Sequence, residues 1–509
     1  MMKFLRNNHK EKPQSVEVLE NLYVKDSRYW MNHREVQSLK LFHDASERIP
    51  AYKDYLAKNK INSQNIKTWE DFQKIPTMSK KTYLRNYDLA KLCWDGSKNK
   101  PLVFTATSGS TGEPFYFVRE QQLDWQYSVM IEDFLNKRNP KTTGPVLVII
   151  CFGMGLWIGG LITYKAFELA SIRSGFPVSI ITPGFNKNEI FNALKVLSPQ
   201  YNQTILAGYP PLLKDIIDEA PHHKINLKKL DIRMLFAAEA VTENFRTYIA
   251  KKAGIKNLHS DFMSIYGSAD IGAMAQETNI SILIRRLAQK NKKLFNDVFS
   301  PINKTPTLAQ FNPEFINFES VNGQLLLTGN SAIPLIRYAI GDNGGVFSFE
   351  ELETKMKNHN VDLAKEVKKA GIENQYSKLP FVYVYERTDL STSYYGLLIF
   401  PEWIRDALIK PPLTGFLTGK FTMTTKHDKE QNQFLEINLE LHKGVDIPES
   451  MKEVILKRLV ASLKSHSSEY REILNGLKEK AYPVLEFWKA EDPTHFRPGI
   501  KQKWVKTES

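Results

Sequence analysis

Thr105-Ala106-Thr107-Ser108-Gly109-Ser110-Thr111-Gly112-Glu113-Pro114 is the stretch on which the reading of this 509-residue chain turns. It follows the apolar run Leu102-Val103-Phe104 and therefore reads as a loop leaving a strand. Gly109 and Gly112 let the backbone approach a ligand with its N–H groups turned inward, and Thr107, Ser108, Ser110 and Thr111 add hydroxyl donors. Such a loop wraps phosphate oxygens. No Gly-Lys-Ser/Thr follows, which excludes a Walker A loop. By composition alone an ordinary Ser/Thr/Gly surface loop is the better description, so the surroundings must decide.

Working outward, residues 14–100 read as mostly helical, with turn signals at Ile49-Pro50 and Ile75-Pro76. From about 101 to 345, β-branched runs at 145–150, 178–182 and 203–207 alternate with helical patterns, the rhythm of α/β layers with several parallel strands. A Lys/Glu-rich helical segment at 350–377 precedes a strand-like run from Leu379 to Tyr385. Beyond 391, strands at 415–425 and 434–442, a helix from about 448 to 464 and a basic extended tail suit a small α+β domain. The expected fold class is α/β: a large N-terminal domain over 1–388, its sheets flanked by helices and a helical cap at about 14–100, then a C-terminal α+β domain over 389–509.

Hydrophobic residues at 42% and charged residues at 25% are ordinary for a globular protein. Cys93 and Cys151 are the only cysteines and no Cys/His cluster has metal-ligand spacing, which removes a disulfide framework and a structural zinc and points to a reducing, cytoplasmic home. Residues 1–13 are polar and charged, unlike a signal peptide. Val146 to Ile162 approaches the length of a membrane span, but Gly153, Gly155, Gly159 and Gly160 divide it into a buried strand and a glycine-rich turn, so no span is expected. The formal charge of +13 suits nucleic acid, an anionic membrane surface or a polyanionic small substrate, and cannot choose among them. Its densest segment, Arg285, Arg286, Lys290, Lys292 and Lys293, reads as the solvated side of a helix whose apolar face carries Ile284, Leu287 and Leu294.

Further segments follow the loop in order. They are Phe152-Gly153-Met154-Gly155-Leu156-Trp157-Ile158-Gly159-Gly160; Tyr209-Pro210-Pro211; Phe236-Ala237-Ala238-Glu239-Ala240-Val241-Thr242-Glu243 with Arg246; and Ser264-Ile265-Tyr266-Gly267-Ser268-Ala269-Asp270. Then come Pro334-Leu335-Ile336-Arg337-Tyr338-Ala339-Ile340-Gly341-Asp342, Glu386-Arg387-Thr388-Asp389, and Arg497 to Val505 with Lys501 and Lys503. Singly, each has a plain alternative: a strand end entering a helix capped by Thr242, a Gly-Asp turn, a basic solvated tail.

Together, from about residue 45 to the C-terminus, these segments resemble the acyl-adenylate-forming (AMP-binding) superfamily. Ile49-Pro50-Ala51-Tyr52, Ile75-Pro76-Thr77-Met78-Ser79-Lys80 and Phe115 after Pro114 resemble its phenylacetate-coenzyme A ligase branch. The resemblance implies that Thr107, Ser108, Gly109, Ser110, Thr111 and Gly112 hold the phosphates of ATP, and that Phe152, Gly153, Gly159 and Tyr209 border the acyl group. It places Ala238, Glu239, Ala240, Tyr266, Gly267 and Ser268 around adenine, Asp342 on the ribose hydroxyls and Arg387 on the nucleotide. Asp270 then serves Mg²⁺ where the family has a glutamate, and Asp389 is the hinge of a mobile C-terminal lid, with Glu386 in place of the family's glycine. Lys501 is the lysine that approaches the α-phosphate, with Lys503 an open alternative because both project to one side of an extended tail. The implied activity is ATP-dependent activation of a small aryl or arylacetic carboxylic acid, then transfer to coenzyme A, with no role for nucleic acid. Transfer to the thiol of a carrier or acceptor protein, or to an amine, is the alternative, and a degenerate nucleotide-binding homologue is a third reading.

Overall fold

The computed structural model describes residues 15–107, 115–155, 158–299, 306–385, 392–408, 411–496 and 505. Its centre is an eleven-stranded sheet with two characters. On one side Val178–Ile181, Val146–Cys151, Gln203–Gly208, Ile232–Ala237 and Phe262–Ser268 run parallel. Val146–Cys151 and Gln203–Gly208 are buried along their whole length, as parallel strands covered on both faces must be. On the other side Gly272–Gln276, Thr307–Gln310, Phe381–Tyr385, Leu335–Phe347, Gln324–Gly329 and Ile316–Val321 pair antiparallel. The last two are joined at Asn322-Gly323, both at positive φ, the two-residue turn whose twist matches its strands.

The expected N-terminal helices are Ser15–Val24, Ser27–Arg48 and Pro50–Lys58. Asp26 starts the long one by accepting the Tyr29 N–H at 2.8 Å, and Pro50 opens the next at the position where a missing N–H costs nothing. Phe42, Tyr52, Phe72 and Tyr83 pack on Ile336 and Tyr338 of the antiparallel half. Met78 locks this region down, donating to the Arg337 carbonyl at 3.2 Å and accepting from the Ala339 N–H at 2.8 Å.

Three expectations need correction. First, Gly159 and Gly160 are not turn residues: strand Val146–Cys151 is followed by helix Ile158–Arg173, which contains both. A Cβ on Gly160 would sit 2.3 Å from the Gly153 carbonyl oxygen, so glycine here permits close approach of two backbones. No described helix is long and apolar enough to cross a membrane.

Second, the basic run is two helices, Asn279–Lys290 and Lys292–Val298, divided at Asn291, whose side chain caps the second. Ile284 and Leu294 are buried as expected, but so is Arg285, which pairs with Glu277 at 2.7 Å and with Glu243. It is not part of a solvated face.

Third, residues 465–488 are not part of an extended tail. Ser467 caps a further helix, Ser468–Leu477, by accepting the Tyr470 N–H at 3.0 Å, and Tyr470, Ile473 and Leu477 bury one face of it. Strand Val484–Trp488 then joins Leu417–His427 and Gln433–Leu441 in a three-stranded sheet, running parallel to its neighbour. Helix Glu449–His466 lies where it was expected. One apolar cluster joins Leu194, Leu213 and Ile217 of the parallel half to Tyr394, Ile399, Leu459 and Ile473 of this C-terminal part.

Candidate active site

Two motifs interlock where the halves of the large sheet meet. Strand Phe262–Ser268 delivers Tyr266, Gly267 and Ser268, with Asp270 just beyond its end, and strand Leu335–Phe347 delivers Tyr338 and Asp342. Each motif has a tyrosine followed four residues later by an aspartate, and each tyrosine holds the other's aspartate. Tyr266 Oη donates to Asp342 Oδ2 at 2.7 Å, and Tyr338 Oη donates to Asp270 Oδ2 at 2.6 Å. These are the short distances of hydroxyls bonded to carboxylates. Ser268 Oγ accepts the Asp270 N–H at 3.2 Å. Arg337, preceding Tyr338, adopts a left-handed conformation that a non-glycine residue keeps only when its surroundings enforce it. Its guanidinium bonds Glu319 at 3.2 Å and the Ile75 carbonyl.

The free side of Asp270 faces Lys80, whose Nζ lies 3.6 Å from Oδ1 and 5.1 Å from the centre of the Phe117 ring. Lys80 belonged only to a marker of the resemblance, and the structure brings its charge to the site. Phe117 lies in strand Phe115–Arg119, which pairs with Val103–Thr107 so that Thr107 stands opposite Phe115. Thr107 is the last described residue before the rest of the hydroxyl-rich stretch; Ser108, Gly109, Ser110, Thr111 and Gly112 lie outside the described residues. Among the described residues no group of three or more His, Cys, Asp or Glu gathers around a point. Asp270 with a lysine beside it suits Mg²⁺ only where phosphate oxygens and water complete the coordination.

On the next strands, Ile232–Ala237 ends at Ala238, which takes a left-handed conformation, and Thr242 caps helix Glu243–Ala253 by accepting the Phe245 N–H at 3.1 Å. Ala238, Glu239 and Ala240 form the link. The Glu239 carboxylate turns to the C-terminal part, accepting from Gln433 Nε2 at 2.8 Å, Ser393 Oγ at 3.4 Å and the Gly396 N–H. Behind the link, Arg246 pairs with Glu277 at 2.8 Å and Arg286 with Glu243 at 3.0 Å. Burial pushes the Glu243 carboxyl up, but Arg246 and Arg285 outweigh it and hold it at about 2.

Cys151 and Gly208 are register partners in neighbouring parallel strands, so the residues after them, Phe152 and Tyr209, meet edge to face at 4.9 Å. Phe185 stacks on Tyr209 at 5.6 Å. Gly159 lies alongside: a Cβ there would be 3.7 Å from Tyr209 Oη. Gly153 meets the helix through its carbonyl at Gly160. The Tyr209 ring is capped by Gly396, in the hairpin Thr392–Tyr394 and Leu397–Ile399; φ is +82° and a Cβ would lie 2.3 Å from the ring. Beside these lies a cavity of about 10 Å³, also bordered by Tyr395, Leu397, Glu469 and Ile473. That is room for a single water. Phe185, Gly396 and Glu469 carried no motif, and only folding brings them to Tyr209. Arg387, Asp389, Lys501 and Lys503 lie outside the described residues; Val505 bridges to Met423 of the C-terminal sheet.

No protein-family model matches the chain, and no curated protein sequence matches it. Solved structures do. A 2-hydroxyisobutyryl-CoA ligase in complex with 2-HIB-AMP and CoA, in the thioesterification state, aligns over 98% of this chain and 94% of that chain, with a TM-score of 0.63 and 14% identity. The same ligase in the postadenylation state with 2-HIB-AMP aligns over 99% and 94%, with a TM-score of 0.52 and 15% identity. Along almost its entire length, the chain therefore has the fold of an adenylate-forming acyl-CoA ligase: a large sheet flanked by helices with a smaller C-terminal sheet domain.

Proposed function

We propose that this chain uses Mg-ATP to activate a small carboxylic acid as an acyl-adenylate and then passes the acyl group to coenzyme A. The observation that carries the reading is the reciprocal pair Tyr266–Asp342 and Tyr338–Asp270. It holds in one frame the two carboxylates that the motif order assigns to the ribose and to Mg-ATP. In the first stage the acid's carboxylate oxygen attacks the α-phosphate and pyrophosphate leaves. Catalysis is by positioning and charge stabilisation. Thr107 to Gly112 cradle phosphate oxygens, Asp342 accepts from the ribose hydroxyls in place of Tyr266, and Arg387 and Lys501 face the nucleotide. In the second stage the acceptor displaces AMP after a lid, hinged at Asp389 and comprising 389–509, has rotated.

The aromatic wall of Phe152, Tyr209 and Phe185 supports an aryl or arylacetic acid, in keeping with the phenylacetate-coenzyme A ligase branch, in a protein working in the cytoplasm. The test is exchange of labelled pyrophosphate into ATP against a panel of carboxylic acids, arylacetic acids included. Exchange dependent on one class is expected, and Asp270→Ala should impair it far more than it impairs folding. No exchange with any acid refutes adenylation. Coenzyme A should then accelerate AMP release and give a thioester by mass; AMP release only with an amine or a partner protein would refute the acceptor alone.

A further inference from the structure

Glu469 belongs to no motif. It lies in the first turn of helix Ser468–Leu477, half-buried, and lines the one-water cavity together with Tyr209, Phe185, Tyr395 and Gly396. Burial, offset by no ion pair or hydrogen bond among the described residues, pushes its carboxyl up to about 7. An acid set unpaired against three aromatic rings is costly wherever it is ionised, and packing alone would favour an apolar side chain there. It also shares that cavity with the tyrosine that borders the proposed acyl group, and its helix packs directly beside Phe185, where a Cβ on Gly476 would lie 2.8 Å from the Phe185 carbonyl oxygen.

We propose that Glu469 is the proton acceptor of the transfer stage, taking the acceptor's proton through the water of this cavity. The proposal rests on the adenylate reading above. In that stage the acceptor's sulfur, or its nitrogen if it is an amine, attacks the acyl carbon of acyl-AMP. The new C–S or C–N bond forms, the bond from the acyl carbon to the phosphate oxygen breaks, and AMP departs with that electron pair. The proton carried by the nucleophile has to go elsewhere, and a water relays it to the Glu469 carboxylate, which later releases it to solvent. A base that titrates near the working pH and reaches its proton directly or through one water is the effective kind.

The groups facing Glu469 do not compete for this role. Tyr209 and Tyr395 are pushed up by burial and stay protonated. Glu239 is engaged by Gln433, Ser393 and Gly396. Farther along the same interface Glu219 is bonded by Lys187 at 2.6 Å and Lys480 at 2.8 Å, and both lysines also lie 3.8 Å from Asp215.

The experiment is single-turnover transfer from chemically prepared acyl-AMP to coenzyme A by the intact protein, between about pH 5 and pH 9, beside pyrophosphate exchange on the same preparations. The wild type should transfer faster as pH rises through about 7, where Glu469 loses its proton, below the range in which a free thiol ionises. Glu469→Gln should abolish that inflection and slow transfer on the order of 10²-fold, with a much smaller loss in exchange. Glu469→Asp should keep an inflection at a reduced rate, and it carries the test if the glutamine variant does not fold. An unchanged inflection in Glu469→Gln, or equal losses in both assays, overturns the proposal. A wild type that neither exchanges pyrophosphate nor consumes acyl-AMP refutes the adenylate reading itself, before any variant is compared.

Discussion

Glu243, Arg246, Glu277 and Arg285 meet behind Ala238 to Ala240 with side chains almost wholly removed from water. Each is tolerable only because the others are there, since an unpaired buried charge costs far more than a matched set. Arg285→Ala should therefore destabilise the protein by roughly 3–5 kcal/mol in urea unfolding. Acid should act on the same cluster. Glu243 is held at about 2 against an ordinary 4.5, so its contribution is complete above about 4.5 and is lost as pH falls toward 2. Stability measured against pH should fall over that window in the wild type and fall less in Arg285→Ala, where Glu243 has lost a partner; parallel curves would refute this. Lys501 carries the sharpest activity prediction. An ammonium at the α-phosphate acts on charge that builds up in the transition state. Lys501→Ala should lower pyrophosphate exchange on the order of 10² to 10³-fold while ATP binding and turnover of supplied acyl-AMP persist. Lys503→Ala should be mild in both assays, and the opposite ranking would shift the register of the tail by two residues.

At the scale of elements, the hairpin around Gly396 is the piece whose fit is most exacting. Gly396 lies against the Tyr209 ring in a left-handed conformation, and the neighbouring Tyr395 N–H donates to Gln433 Oε1 at 2.8 Å. A methyl group added at Gly396 has no space, and its backbone would carry about 1–2 kcal/mol of left-handed strain. Gly396→Ala should lift the hairpin from Tyr209. Stability in urea should fall by about 1–3 kcal/mol, and transfer from supplied acyl-AMP should fall more than pyrophosphate exchange. Equal effects on the two assays would show that the hairpin does not serve the second stage.

At the scale of the whole molecule, one apolar core has members on both sides of residue 389. Leu194 and Leu213 of the parallel half lie in one apolar cluster with Tyr394, Leu459 and Ile473 of the C-terminal part. Lys214 Nζ bonds Asn432 Oδ1 at 2.7 Å across the same boundary. A chain ending at Tyr385 should thus expose a contiguous apolar surface. It should bind a hydrophobic dye and melt several degrees below the full-length protein in calorimetry. A truncated chain as stable and monodisperse as the intact one would show that the two parts do not depend on each other.

The sequence by itself determined what depends on neighbours along the chain. Apolar runs such as Val146 to Ile150 declare buried parallel strands, Thr242 declares a helix start, and the motif order declares the fold, because local backbone preference and hydrophobic period act over a few residues. It also displayed a tyrosine and an aspartate in each of two motifs, but not that each tyrosine would serve the other's aspartate. Only the tertiary structure decided that pairing, the burial of Arg285, the turn of Glu239 toward a hairpin 157 residues away, and the placing of Glu469 against Tyr209. The physical reason is common to all four. The free energy of a charge or a polar group depends on which distant groups remove its water and which replace it, and segments far apart in the chain supply both.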